Sequence, residues 1–204
     1  MKLIVRLAVS LALALGVAGC SLGGLLGGGA KAPPTLLTLT PEAADPGPHS
    51  RSASAGQAVS IAIPIASKEL HTVRVPVQVS PTDVQYVANL QWIDTPDRLF
   101  KDLVAETVRR TTNRVVLDVN QTALDPGVLV NGKLQRFGYD ATTGNVVVEY
   151  DAALSTAGGA QVETRRFVAT APADGTAATV GPALNRAANQ VAAEVAQWLG
   201  GSSS

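Results

Sequence analysis

VLVNGKLQRFGY (Val128 to Tyr139), VVVEYDAAL (Val146 to Leu154) and QVETRRFVAT (Gln161 to Thr170) are three runs in which apolar residues recur at alternate positions, and their reading decides the fold. Alternation with period two places one set of side chains on each face of an extended strand. Asp140-Ala141-Thr142-Thr143-Gly144-Asn145 separates the first two runs, and Ala157-Gly158-Gly159-Ala160 separates the last two. Both linkers are turn-forming, so the segment predicts an antiparallel meander with one face covering helices.

Working upstream, Arg114 to Val119 reads as a short strand. The stretch before it opens with Asp94-Thr95-Pro96, a capping oxygen followed by proline, and carries Leu99, Phe100, Leu103, Val104 and Val108 on one face. This predicts an amphipathic helix, with Asp97 early and Arg109 and Arg110 late to complement its dipole, ending at Asn113. Earlier still, Leu36 to Leu39, Val59 to Ile63, Val73 to Val79 and Tyr86 to Ile93 read as extended. Pro76 lacks a ladder N–H, which places its strand at a sheet edge or on a bulge. Pro41 to Gly56, rich in Pro, Gly, Ser and Ala, reads as a mobile loop. Downstream, Gly181-Pro182 opens a final helix whose stripe is Leu184, Ala188, Val191, Val195, Trp198 and Leu199, with Gly200 as its stop. The resulting fold class is α/β or α+β: a mixed, largely antiparallel sheet packed against two main helices.

The first residues carry a different message. Lys2 and Arg6 precede an apolar run from Leu7 to Val17, the layout of a secretory signal, and the run is short of the roughly 20 apolar residues a spanning helix needs. It ends in Val17-Ala18-Gly19-Cys20, which resembles the lipobox of bacterial lipoproteins at all four positions. A branched apolar residue seats the peptide in the membrane, two small residues admit the peptidase, and the thiolate accepts diacylglycerol. Cleavage between Gly19 and Cys20 leaves Cys20 as the first residue, carrying a covalent diacylglycerol and an N-acyl chain. Cys20 is the single cysteine, so no intramolecular disulfide competes for it. Ser21 rather than aspartate follows, which in such lipoproteins favours the outer over the inner membrane. Four parts follow: residues 1–19 as signal peptide, 20–34 as lipidated cysteine and Gly/Pro-rich tether, 35–200 as one periplasmic domain, and 201–204 as a disordered tail. The tether reaches about 45 Å fully extended and about 20 Å as a coil.

Sixteen basic and sixteen acidic residues balance, so there is no polybasic surface and no nucleic-acid partner is expected. Gly23, Gly24, Gly27, Gly28 and Gly29 follow no strand and lead to no Gly-Lys-Ser/Thr, which excludes a phosphate loop. His49 and His71, the two histidines, have no motif neighbours, and neither His-Glu-x-x-His nor Gly-x-Ser-x-Gly occurs. No catalytic residue, metal site or cofactor is expected, and the chain is read as a non-enzyme, with a periplasmic hydrolase ranked last. Glu149 and Asp151 share a strand face and read as solvated acids rather than a catalytic pair. Tyr86 and Trp92, placed on one face of their extended segment, are candidates for a partner or ligand surface, set against the commoner role of aromatics as core.

These features resemble the ABC-type transport auxiliary lipoprotein family, across about Leu36 to Leu199. The resemblance is carried by Leu37-Thr38-Leu39, by Ile61-Ala62-Ile63-Pro64 with Leu70, and by Gln91-Trp92-Ile93-Asp94-Thr95-Pro96-Asp97-Arg98-Leu99. Gly132-Lys133-Leu134-Gln135-Arg136-Phe137, Arg166-Phe167 and Ala196-Gln197-Trp198-Leu199 complete it. One departure is Leu36 or Leu37 where members often carry tyrosine. The resemblance implies an accessory that docks on a mammalian-cell-entry domain protein served by an ABC permease and ATPase, in intermembrane transport of phospholipid or another hydrophobic substrate. It admits self-assembly into a ring. The alternative is a stand-alone periplasmic lipid-binding or envelope-assembly lipoprotein, which needs an apolar cavity between sheet and helices.

Overall fold

The computed structural model describes residues 35–54, 56–118 and 127–201; the expected signal peptide, Gly19, Cys20, the tether and the last three tail residues lie outside them. In chain order the strands are β1 (Ala58–Ile61), β2 (Ile65–Ala66), β3 (Arg74–Gln78) and β4 (Val84–Gln91). Helix α1 (Pro96–Thr111) and β5 (Val116–Leu117) follow, then β6 (Gly127–Asp140), β7 (Asn145–Thr156), β8 (Gln161–Pro172) and helix α2 (Ala177–Gly201).

The meander forms as its alternation predicts: β6, β7 and β8 pair antiparallel along their lengths. The other edge of β6 is paired by three short strands in series, all parallel to it. Ala58–Ile61 lies beside Gly127–Val130, Ile65–Ala66 beside Lys133–Leu134, and Val77–Gln78 beside Tyr139–Asp140. β5 extends β1 and β4 extends β3. The sheet is thus mixed, and both helices stack on one face of it, giving an α+β architecture.

Two bulges set which side chains face the helices. In β6 the register slips by one residue between Leu134 and Arg136. Leu134 and Phe137, three apart, are therefore both buried, although three residues along a regular strand change face. In the β3–β4 pair the register shifts between Arg74 and Pro76, which accommodates the proline as its missing N–H requires. The extra residues lie in β4, where Asn89 takes φ 55°, a left-handed conformation that asparagine tolerates.

The core is an aromatic cluster between sheet and helices. Phe137 meets Trp92 at 5.7 Å and Phe100 at 6.4 Å between ring centres, and Phe100 meets Tyr150 at 5.2 Å, all edge to face. Such pairs contribute about 0.5–1.5 kcal/mol beyond area burial. α1 starts on Thr95 with Pro96 at its first turn and ends at Thr111, with Phe100, Leu103, Val104 and Val108 buried, matching the sequence pattern within two residues. α2 begins earlier than Gly181-Pro182 suggests: Asp174 accepts hydrogen bonds from the Thr176 N–H at 2.9 Å and hydroxyl at 2.7 Å, and this turn nucleates the helix at Ala177. Pro182 then sits inside the helix on its exposed side, where water can satisfy the carbonyl it leaves free. Ala183, Ala187, Ala188, Ala192 and Ala196 are buried, so this helix approaches the sheet closely.

The expected strand at Leu36 to Leu39 is reduced to one parallel bridge, between Leu37 and Trp92. Beyond it the chain leaves the sheet to cross α2, and side chains replace the ladder. Asn185 Oδ1 accepts from the Thr40 N–H at 2.9 Å, Asn189 Oδ1 accepts from the Glu42 N–H at 2.8 Å, and Asn189 Nδ2 donates to the Thr40 carbonyl at 2.9 Å. The stretch expected as a mobile loop is pinned as well: Arg110 donates to the Ala43 carbonyl at 2.9 Å, and Arg51 donates to the Arg109 carbonyl at 2.5 Å.

Two outcomes are expected from this packing. Leu103 is 2% exposed, so Leu103→Ala leaves a cavity and lowers the unfolding free energy by about 2–5 kcal/mol in urea titration. At the β6–β7 turn, Asp140 accepts from the Thr142 hydroxyl at 2.6 Å and from Arg136 at 2.8 Å, which holds its carboxyl down at about 2 from an ordinary 3.8. A depressed carboxyl stabilises the fold fully above its unfolded value and loses that contribution as pH falls toward the folded one. Asp140→Asn is expected to flatten the fall of stability between about pH 4 and pH 2, measured by unfolding across that range.

Candidate functional site

With α1 and α2 both on one side, the opposite face of the sheet is left uncovered. Its composition is unusual for a solvated face. The exposed large apolar residues among the described ones are Leu36, Ile63, Ile65, Val84, Ile93, Val162 and Val168. Val162 and Val168 alternate with the buried Phe167 and Ala169 of β8, and Val84 and Ile93 with the buried Val87 and Trp92, so all four point away from the helices. Ile65 is 72% exposed and Ile63 50%, and the two line one groove with Lys133, Asp151, Thr164 and Arg166.

The strand registers place these residues in a row. Ile65 lies beside Lys133, Lys133 beside Asp151, and Asp151 beside Arg166, spanning β2, β6, β7 and β8. An apolar side chain, a cation, an anion and a cation thus stand in line across the sheet. Arg166 grips Asp151 with two bonds, Nε to Oδ1 at 2.6 Å and Nη2 to Oδ2 at 2.8 Å, and reaches Glu149 at 3.2 Å. Gln135, the residue of the β6 bulge, donates to the same Asp151 carboxylate at 2.8 Å. The Arg166 bonds first, and then the Gln135 bond, hold the Asp151 carboxyl below its usual range, while Asp151 raises Arg166. The groove these residues line has a volume of about 700 Å³, open to solvent. Beneath it, Gly132 leaves room where a Cβ would stand 2.1 Å from the Asp151 carbonyl oxygen and 2.8 Å from the Tyr150 ring. Tyr150 passes under that point, donates its hydroxyl to the Asn131 carbonyl at 3.1 Å, and is driven by burial far above the usual phenol range.

The residues singled out from sequence fall in different places. Glu149 and Asp151 do share a face, and Arg166 bridges them. Tyr86 is half-buried on the uncovered face with the Arg74 guanidinium 4.1 Å above its ring. Trp92 does not join it: at 1% exposed it is core, so its candidacy for a partner surface is withdrawn. The bulge at Asn89 reverses the alternation between the two aromatics, which a regular strand would have kept on one side. His49 is in the loop, its Nδ1 2.8 Å from the Gly47 carbonyl, and His71 closes a short 3-10 turn. The described residues include no group of His, Cys, Asp and Glu arranged to hold a metal ion. Sequence reading overlooked Ile63 and Ile65, whose signal was the pair of isoleucines flanking Pro64.

The chain matches the family described as the ABC-type transport auxiliary lipoprotein component over residues 37–196. Among solved structures it is similar to a Xanthomonas campestris protein of the DUF330 family, with 19% identity and a TM-score of 0.64, covering 83% of this chain and 94% of that one. It is also similar to an uncharacterized protein with 16% identity and a TM-score of 0.58, covering 74% and 96%. At these identities the likeness shows a shared fold. No curated protein matches.

Arg166 is exposed while Glu149 and Asp151 are part-buried, and ion pairs open to solvent on one side contribute little to stability. Arg166→Gln should therefore leave the melting temperature close to that of the unaltered protein. Carboxyl titration by NMR should show Asp151 titrating at higher pH in the variant, because its largest stabiliser is gone; an unmoved Asp151 would show that Gln135 and Lys133 suffice to set its protonation.

Proposed function

This chain belongs to the ABC-type transport auxiliary lipoprotein component family, and from that premise we propose that it is a periplasmic accessory tied to a membrane through acylated Cys20. It docks on a mammalian-cell-entry domain protein served by an ABC permease and ATPase, in intermembrane transport of phospholipid. The observation that carries this reading is the family match over residues 37–196 joined to the lipobox Val17-Ala18-Gly19-Cys20 at the head of the same chain. The family places the chain at the cell envelope as a lipoprotein component of ABC-type transport. Among the described residues no helix is long and apolar enough to cross a membrane; in this reading the acyl chains on Cys20 supply the anchorage. Two or more acyl chains, at about 0.8 kcal/mol per buried methylene, hold a protein stably at a bilayer. Ser21 after the cysteine favours the outer membrane, and the tether lets the domain stand off the surface.

In this reading the domain supplies binding and position, and the ATPase supplies energy, so it performs no catalysis. The space between sheet and helices is occupied by Trp92, Phe100, Phe137 and Tyr150 against the alanines of α2. A stand-alone carrier would need that space for its lipid, which supports the docking accessory over it.

The test is to tag the C-terminal tail, extract native membranes in mild detergent and identify co-purifying proteins by mass spectrometry against an unrelated lipoprotein. Recovery of a mammalian-cell-entry protein with its permease and ATPase is expected; recovery of lipid with no protein partner would overturn the accessory reading. Cys20→Ser should remain unlipidated and fused to its signal segment, and a normally processed, acylated product would refute the anchor.

A further inference from the structure

Of the three strands of the meander, β8 is the one with an open edge. It pairs with β7 on one side, and among the described residues no strand, turn or side chain bonds to its backbone on the other. Gln161 to Arg166 are all exposed. The phase of this edge follows from the hairpin. The Ala173 N–H donates to the Gly144 carbonyl at 3.1 Å, one step beyond the Asn145–Pro172 pair, so Gly144 and Ala173 form a hydrogen-bonded pair and the alternation runs back along β8 without a bulge. Glu163, Arg165 and Phe167 therefore turn their N–H and C=O toward β7, while Val162, Thr164, Arg166 and Val168 turn theirs outward. Side chains alternate in step: Glu163 and Arg165 lie with the buried Phe167 on the helix side, and Val162, Thr164 and Arg166 on the uncovered side.

We propose that β8 pairs with itself: two copies of this chain join antiparallel about a two-fold axis through Thr164, perpendicular to the sheet, so that the sheet continues from one copy into the other. Thr164 meets Thr164 of the second copy and Val162 meets Arg166 of the second copy, each pair exchanging both backbone bonds. Glu163 then stands opposite Arg165 of the second copy in a non-hydrogen-bonded pair, where side chains approach most closely, and the symmetry makes this ion pair twice. Glu163 accepts from Trp198 Nε1 at 2.7 Å through Oε1, which leaves Oε2 to receive the guanidinium. Arg165 lies 5.1 Å from the Phe167 ring and has no carboxylate at ion-pair distance among the described residues. Arg166 keeps its own Asp151 and Glu149, and its stem covers Val162 of the second copy, which is 63% exposed in the single chain.

Charges usually blunt a sheet edge, but here opposite signs occupy the two positions that this axis superposes. The other registers lack that match. Centring on Arg166 sets its guanidinium against its own counterpart, and like charges directly opposite destabilise a sheet. Centring on Val168 brings Pro172, which has no N–H, to a place that must donate, and leaves Glu163 and Arg165 unmatched. A bilayer offers no backbone groups to complete the ladder. Because the edge is its own complement, the contact closes at two copies and does not propagate into a ring. A two-fold axis also keeps both Thr35 ends at one height along it, so two acyl anchors can enter the same bilayer, where confinement raises the effective concentration of the pair. The pairing stands independently of the docking role proposed above.

The experiment uses the full-length chain in native membranes, carrying Thr164→Cys and treated with a short bis-maleimide; the unaltered chain, whose one cysteine is Cys20, gives the background. Positions 163 to 165 are exposed, so the variants should keep the melting temperature, which is measured first. Expected is an adduct of twice the chain's mass, reduced about tenfold by Arg165→Glu, which leaves the Trp198 bond intact. Arg165→Glu and Glu163→Arg chains expressed together under different tags should recover each other, because every facing pair is then opposite in sign, while each expressed alone should stay single. No adduct at position 164, or one with a different protein, overturns self-pairing. A dimer that Arg165→Glu leaves undiminished overturns the register, as does failure of the two charge variants to recover each other when both are folded.

Discussion

Every backbone N–H and C=O of a buried strand needs a partner, and β6 shows how much of a fold that demand can dictate. It is 14 residues long, so each edge presents a row of donors and acceptors that one short neighbour could not satisfy. β7 covers one edge through a hairpin. The other is covered piecewise by β1, β2 and β3, laid end to end in the same direction. The joints between those pieces are where Pro64 and the 3-10 turn Lys68–Leu70 occur, both poorly suited to a continuous ladder. β6 is thus the element against which the first half of the chain is measured out.

The bulge at Gln135 ties that architecture to the surface. One extra residue turns Phe137 inward to meet Trp92 and Phe100, and the same slip frees Gln135 to reach Asp151 on the opposite face. The aromatic core and the charged row are therefore consequences of a single register change. Stacking both helices on one side completes the asymmetry: alanines of α2 and the apolar stripe of α1 bury one face, and the other keeps its isoleucines and valines in solvent.

The meander, both helices and the mixed sheet were legible because each is written in local periodicity, and the bulge allowed for Pro76 follows from a single missing N–H. What depended on distant partners was not. Nothing within Leu36 to Leu39 reveals that Asn185 and Asn189 replace its ladder. The parallel stacking of β1 to β3 on β6 joins segments roughly sixty to seventy residues apart, a pairing with no turn between to announce it. Trp92 was misplaced relative to Tyr86 because Asn89 reverses the alternation, and asparagine at a bulge looks like any polar strand residue. The lipobox reading rests on four consecutive residues, Val17 to Cys20, which lie outside the described structure. The Ile63–Ile65 groove could not be read, because whether an isoleucine is core or surface is settled by which face the helices choose.

The segment from Thr35 to Glu42 is the first described stretch of the chain, and its attachments differ in kind from those of the strands. Leu37 is held by two backbone hydrogen bonds at 2.8 Å, to Gln91 and Ile93, and its side chain fits against Gly181, where a Cβ would come within 2.8 Å. Behind it stand the amide contacts of Asn185 and Asn189. These bonds tie the start of the described chain to α2 and to the end of β4 rather than into the long ladders of the sheet. The segment is therefore clasped by single bonds and side chains, so it can release without disturbing the register of the eight-stranded sheet.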